Sequence, residues 1–303
     1  MFKVIKWLVP ACMALVLYKK FLKNPNFSPE VLLQAIRSLD FYWLPVLLLL
    51  SFINWGIETR KWQYLICKLE LQSFKVAYKS VLCGVTVAQM LPYRTGEYLG
   101  RLAYVNDDNK VSAGVLSIIG SFTQLLITLI FGSVAFMVIQ PLEVPYTFIL
   151  YLSILLALLV LGYFHLPQLS FIRNHPIALA IIEALKVLNK RDIGRLIGFS
   201  LLRYLVFVVP YAVLLMVFGL DKSQGFLNAA LSVSCIYLLQ TVSPNFILTD
   251  LAVRISVPAL VLSGSFVSIS GIEFIPGMII YLFNVLLPML AGAVVLLTLR
   301  LKK

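Results

Sequence analysis

Arg94, Glu97 and Arg101 stand close together in Leu91-Pro92-Tyr93-Arg94-Thr95-Gly96-Glu97-Tyr98-Leu99-Gly100-Arg101, and Asp250 and Arg254 recur in Ser243-Pro244-Asn245-Phe246-Ile247-Leu248-Thr249-Asp250-Leu251-Ala252-Val253-Arg254. In both stretches an acid precedes an arginine by four positions, the spacing that lets two side chains meet on one helix face. Guanidinium matches phosphate oxygens through paired N–H donors, so Arg94 and Arg101 are candidates to hold a phosphate. Glu97 would orient them or take up a proton, and Asp250 with Arg254 would do the same from the second stretch. Backbone amides released from Gly96 onward would add positive dipole at the same place. The plainer reading is that each acid–arginine pair only makes insertion into lipid tolerable, since an isolated charge at the bilayer centre costs about 2.5–3.5 kcal/mol.

The surrounding chain explains why lipid is the setting. Of 303 residues, 61% are hydrophobic and 13% charged, and the mean hydropathy is +0.95. That is about half the charge share of a soluble domain, too little to cover a soluble surface. Formal net charge is +12. The basic residues lie in short segments between apolar runs, which argues for anionic headgroups as partner and against nucleic acid.

Apolar runs cover residues 5–21, 41–66, 75–91, 112–139, 146–164, 196–219, 226–243, 251–269 and 274–299. The expected fold is an all-α polytopic membrane protein in a single integral domain over 1–303. It has about six full spans plus two re-entrant broken-helix hairpins. Residues 75–91 as a helix would measure about 26 Å, short of a bilayer core of about 30 Å. They meet the break at Pro92 and Gly96, and 226–243 meets a break at Pro244; a short helix, a break and a second short helix read as a re-entrant hairpin. Paired broken helices at corresponding positions of 41–140 and 196–300 imply an inverted repeat, the arrangement from which transporters build midplane sites. The Lys/Arg-rich segments 60–79 and 165–195 and the C-terminal tail are placed in the cytoplasm together with both termini. The loops 140–146 and 219–225 then face outward. The basic segment 19–40 runs against this orientation.

Asn54, Glu58 and Arg60 near the end of the second run are further candidate substrate-binding residues. Arg203, one turn into a later span, reads as a snorkelling side chain, and Glu273 as interfacial. Asp107-Asp108 reads as a solvated turn. Cys12, Cys67, Cys83 and Cys235 lack metal or redox spacing and read as apolar core or lipid-facing residues. His165 and His175 lack partners for zinc. No nucleophile–base motif, phosphate-cradling loop or metalloprotease motif appears. The expectation is therefore no cofactor, no metal and no enzymatic activity.

The combination of Asn54 with Arg60-Lys61-Trp62, the Pro-x-Arg-x-Gly-Glu-x-x-x-Arg stretch from Pro92 to Arg101, and the stretch from Ser243 to Arg254 resembles the lysylphosphatidylglycerol synthase transmembrane family. That family includes the flippase portion of the bacterial multiple-peptide-resistance factor and the YbhN-type inner-membrane proteins. The resemblance covers roughly residues 5–300. Asp250 stands where Glu is expected and Ala252 where Gly is common. The resemblance implies a lipid translocase in the cell membrane of a prokaryote, with re-entrant helices. In the family it resembles, the aminoacyl-transfer activity belongs to a separate soluble domain, which is not expected within these 303 residues. The expected function is transport of an anionic or phosphate-bearing (glyco)lipid between leaflets. The alternatives are a membrane-embedded transferase on a polyprenyl phosphate or glycolipid, and a non-catalytic subunit of an envelope-lipid synthesis complex. Expected partners are a lipid with an anionic headgroup, and a second copy or an envelope-synthesis enzyme.

Overall fold

The computed structural model describes residues 42–140 (apart from 90 and 92–93), a few helical positions between 147 and 158, and residues 186–220, 225–242, 247–263 and 272–300. The expectations for the run at 5–21, most of 146–164 and 165–195, and for Cys12, His165, His175, Pro92 and Pro244 lie outside the described residues.

Every regular element among the described residues is helical. Helix α1 spans Trp43–Ile66. Helix α2 spans Phe74–Ala88, with the Ser73 side chain accepting from the Val76 amide as its N-cap, which supplies one of the first-turn amides with a partner. A short α3 follows at Gly96–Arg101, then single 3-10 turns at Leu102–Tyr104 and Asp107–Asn109. Helix α4 spans Lys110–Ile139 and α5 spans Lys190–Val217. The latter starts earlier than its apolar run because Asn189 and Asp192 form a reciprocal capping box that fixes the helix start in polar sequence. Helices α6 (Phe226–Val242) and α7 (Ile247–Ser263) follow. The last rod comprises α8 (Phe274–Tyr281), a π-helical turn at Leu282–Leu286, and α9 (Leu287–Arg300).

Among the described residues three helices are long and apolar enough to cross a membrane: Asp107–Ile139, Lys190–Val217 and Phe274–Thr298. They coincide with three of the expected spans. Their outer faces are apolar and open, with Phe131, Val134 and Val138 on α4, Leu202 and Leu205 on α5, and Leu290, Val294 and Leu297 on α9 all exposed. The N-terminal half of α1 adds Leu48, Leu49 and Phe52. An apolar belt of this extent matches a hydrocarbon solvent, not water.

Inside that belt lie two apolar clusters. One joins Leu47 of α1, Phe136 of α4, Tyr211 and Leu215 of α5, Ile236 of α6 and Val257 of α7. The other joins Trp62 and Leu65 of α1, Val81 of α2, Leu116 of α4 and Leu196 of α5. Helices α1, α4 and α5 contribute to both, so they form the frame on which the two hairpins are mounted.

Candidate functional site

The first hairpin is closed by glycine. A Cβ on Gly96 would run into the Val87 carbonyl, and one on Gly100 would come within 2.5 Å of the Cys83 carbonyl oxygen. Helix α3 can therefore lie directly against the backbone of α2. The expected break residue Gly96 acts through this close approach. The left-handed conformation is taken instead by Arg94, with φ of 57°. For a residue with a long side chain that costs about 1–3 kcal/mol and persists only where the surroundings enforce it.

Closure of the hairpin places Arg101 inside. Its side chain is 1% exposed and pairs with Glu97 of its own helix and with Glu58 of α1 at 2.7 Å. Ser80 of α2 donates to the Arg101 carbonyl at 2.8 Å, and the Trp62 ring lies 5.4 Å from its guanidinium carbon. Glu58 is the hub of the cluster. Beyond Arg101 it takes ion pairs from Lys61 at 2.8 Å and from Arg203 of α5 at 2.9 Å. Lys61 also donates to the Gly120 carbonyl of α4. A buried charge left alone costs several kcal/mol, so this many-partner arrangement is what permits Glu58, Lys61 and Arg101 to sit in the interior.

Arg203 is bound from several sides. Its Nε donates to the Asn54 side-chain oxygen at 3.0 Å, and its guanidinium carbon lies 5.2 Å from the Trp55 ring and 5.0 Å from Phe207. It does not snorkel outward as expected: α5 begins at Lys190, which sets Arg203 more than three turns inside the helix, and the carboxylate of Glu58 draws it inward. Asn54 in turn donates to Asn284 at 3.4 Å. Asn284 sits in the π turn, and Ser51 donates to the neighbouring Phe283 carbonyl at 2.6 Å. A π turn disturbs the regular backbone hydrogen bonding of the helix, and such turns gather at functional positions.

The second hairpin repeats the acid–arginine pair. Arg254 donates through Nε to both carboxylate oxygens of Asp250 at 3.0 Å, and its guanidinium carbon lies 5.8 Å from the Tyr281 ring. Arg254 and Arg94 then meet at one cavity of about 430 Å³. Its charged lining is Glu58, Lys61, Arg94, Glu97, Arg203 and Arg254. Its uncharged polar lining is Ser121, Gln124 and Thr128 of α4, Gln240 and Thr241 of α6, and Asn284. Trp55, Tyr204, Phe207 and Tyr237 supply aromatic walls. With Arg101 and Asp250 immediately behind, five cations stand against three carboxylates, a net charge of +2.

Seven of the eight expected binding residues thus join one constellation: Asn54, Glu58, Arg94, Glu97, Arg101, Asp250 and Arg254. The eighth, Arg60, does not. It is exposed, bonded to Gln63 and stacked 4.6 Å from the Phe74 ring. Two residues along a helix is about 200° of rotation, which turns Arg60 away from the Glu58 face, whereas Lys61 at three residues returns to it. Arg203, Lys61, Gln124, Gln240 and Asn284 are the functional candidates that sequence reading passed over. Their one common signal is a polar residue inside an apolar run. The cysteines divide: Cys83 and Cys235 are buried, and Cys67 is exposed at the end of α1. Among the described residues no group of His, Cys, Asp and Glu could hold a metal ion.

No curated protein and no solved structure gives a significant match to the chain. A family model described as the lysylphosphatidylglycerol synthase TM region matches residues 7–249. That range covers most of the chain and includes α1 to α6 with the whole first hairpin, so the protein is a membrane protein belonging to the lysylphosphatidylglycerol synthase TM-region family.

Proposed function

We propose that this protein moves a lipid with an anionic, phosphate-bearing headgroup between the leaflets of the cell membrane, with both termini in the cytoplasm. The headgroup passes through the polar cavity while the acyl chains stay in the bilayer. The observation that carries this reading is the convergence of Arg94 from the first hairpin, Arg203 from α5 and Arg254 from the second hairpin on one cavity. Guanidinium groups brought to one cavity from separate elements can receive a phosphate in turn, each holding it by paired hydrogen bonds.

The element order supports a repeat built for transport. A long helix, a hairpin and a second long rod occur as α1, α2–α3 and α4, and again as α5, α6–α7 and α8–α9. Paired broken helices facing one site are the transporter pattern, and the two hairpins are read as re-entrant. The carboxylates support transport over group transfer. Glu58, Glu97 and Asp250 are each engaged by at least one cation, which leaves none of them as a free general base.

The test is leaflet exchange of labelled phosphatidylglycerol in liposomes holding the purified protein. Wild type and Arg60→Ala are expected to exchange the lipid, whereas Arg203→Ala and Arg254→Ala lose at least tenfold in rate. Equal exchange by all four proteins would sink the proposal, and so would exchange no faster than in empty liposomes.

A further inference from the structure

The cavity holds more than guanidinium. Ser121, Gln124 and Thr128 lie at three- and four-residue steps along α4 and line the cavity together, the spacing of one helix face. The Thr128 and Thr241 hydroxyls donate to the carbonyls of Gln124 and Tyr237, so their lone pairs remain to accept. The Gln124 side-chain oxygen and the Trp55 indole N–H are both buried with no hydrogen-bond partner among the described residues. Trp55 is 4% exposed and lines the same cavity. A buried polar atom left unpaired costs about 1–3 kcal/mol, and Gln124 and Trp55 both line the cavity, so a ligand held there is the partner that would complete them.

The chemistry of that ligand follows from what each group demands. A lipid phosphodiester offers only acceptors at neutral pH. It satisfies Arg94, whose ion pair to Glu97 is loose at 3.8 Å, and Arg254, whose Asp250 contacts use Nε alone. It cannot satisfy an amide oxygen or a hydroxyl lone pair. Those require a donor, either an ammonium or a hydroxyl. An ammonium would enter a cavity of net charge +2 in which every carboxylate is already engaged. A hydroxyl both donates and accepts, so it serves the Gln124 amide and the Trp55 N–H equally. The aromatic walls suit the C–H faces of a polyol or sugar ring.

We infer, on the transport reading above, that the cavity selects a phosphate carrying a hydroxyl-rich group, a polyol or sugar phosphate on a lipid, over both a bare phosphate and an aminoacylated headgroup. Phosphate recognition falls to Arg94, Arg203 and Arg254, and hydroxyl recognition to Gln124 and Trp55 with the threonines beside them.

The experiment measures binding and leaflet exchange side by side on the full-length protein in lipid. The probes are phosphatidylinositol, phosphatidic acid and lysyl-phosphatidylglycerol, with soluble inositol 1-phosphate as competitor. Wild type is expected to bind phosphatidylinositol about fivefold or more above phosphatidic acid, the size of one or two neutral hydrogen bonds, and lysyl-phosphatidylglycerol weakest. Gln124→Leu should bring phosphatidylinositol down toward phosphatidic acid while leaving phosphatidic acid unchanged. Gln124→Glu supplies the missing carboxylate and should raise binding of the lysylated lipid. Equal binding of phosphatidylinositol and phosphatidic acid, or a wild-type preference for the lysylated lipid, overturns the inference. Inositol 1-phosphate competing as strongly as the lipid overturns its lipid part. Selective binding without exchange overturns transport and keeps the headgroup assignment. Exchange without selectivity does the reverse, and neither binding nor exchange removes both.

Discussion

Arg101 donates to Glu58 at 2.7 Å across 43 residues of chain, and both side chains are completely enclosed. The pair ties the first hairpin to the helix before it, and Glu58 extends the tie to Arg203 of α5. One carboxylate thus joins α1, α3 and α5.

Removing that carboxylate should be the most damaging single change at the site. Glu58→Ala leaves Lys61, Arg101 and Arg203 facing one another without their shared anion. Breaking a buried ion pair from one side costs about 3–5 kcal/mol. Thermal unfolding in detergent is expected to show a larger fall for Glu58→Ala than for Asp250→Ala, which removes one partner of a single pair. Equal falls would show that the three cations find other partners.

Hairpin closure depends on two small residues. Gly100→Ala places a Cβ within 2.5 Å of the Cys83 carbonyl oxygen, and overpacking of this kind costs about 1–3 kcal/mol. Gly56→Ala meets nothing within 4 Å. In mid-helix it should be neutral or stabilising by up to about 1 kcal/mol, since alanine is the better helix former. A fall in melting temperature for Gly100→Ala and none for Gly56→Ala is the expected outcome. Loss of stability in both would mean that α1 has a neighbour at Gly56.

The π turn of the last rod is held by α1. Ser51→Ala removes the hydroxyl that donates to the Phe283 carbonyl at 2.6 Å. An acceptor left buried costs about 1–3 kcal/mol. Because Asn284 is adjacent and lines the cavity, the same variant should lower lipid exchange more than its loss of stability alone would. Exchange tracking folded protein one for one would assign Ser51 a purely structural part.

The loop between α1 and α2 carries a pH dependence of its own. Burial pushes the Glu70 carboxyl up, but hydrogen bonds from the Asn109 and Gln72 side chains and the Asn106 backbone outweigh it and hold it below its ordinary 4.5. A carboxyl depressed in the folded state contributes stability that is complete above the unfolded value and is lost as pH falls through the folded one. Wild type should therefore lose stability below about pH 4.5, and Glu70→Gln should show less of that loss while being less stable at neutral pH. Parallel acid curves for the two proteins would assign the loss to other carboxylates.

The amino-acid sequence by itself determined the membrane class, the boundaries of the long described helices to within a turn or two, and the acid–arginine pairs Glu97–Arg101 and Asp250–Arg254. These follow from local rules: apolar length sets the spans, and four-residue spacing sets a shared helix face. It also determined that Asn54 and Glu58 are polar where lipid exposure would be costly. Only the tertiary structure decided which polar residues share a cavity. Helical rotation separates Arg60 from Glu58 and returns Lys61 to it. Arg203 looked like an interfacial side chain because its partners, Glu58 and Asn54, are remote in sequence and meet it only when α1 packs on α5. The cavity is lined from seven helices and the π turn of the last rod, and no single segment of the chain carries its net charge or its unpartnered amide oxygen.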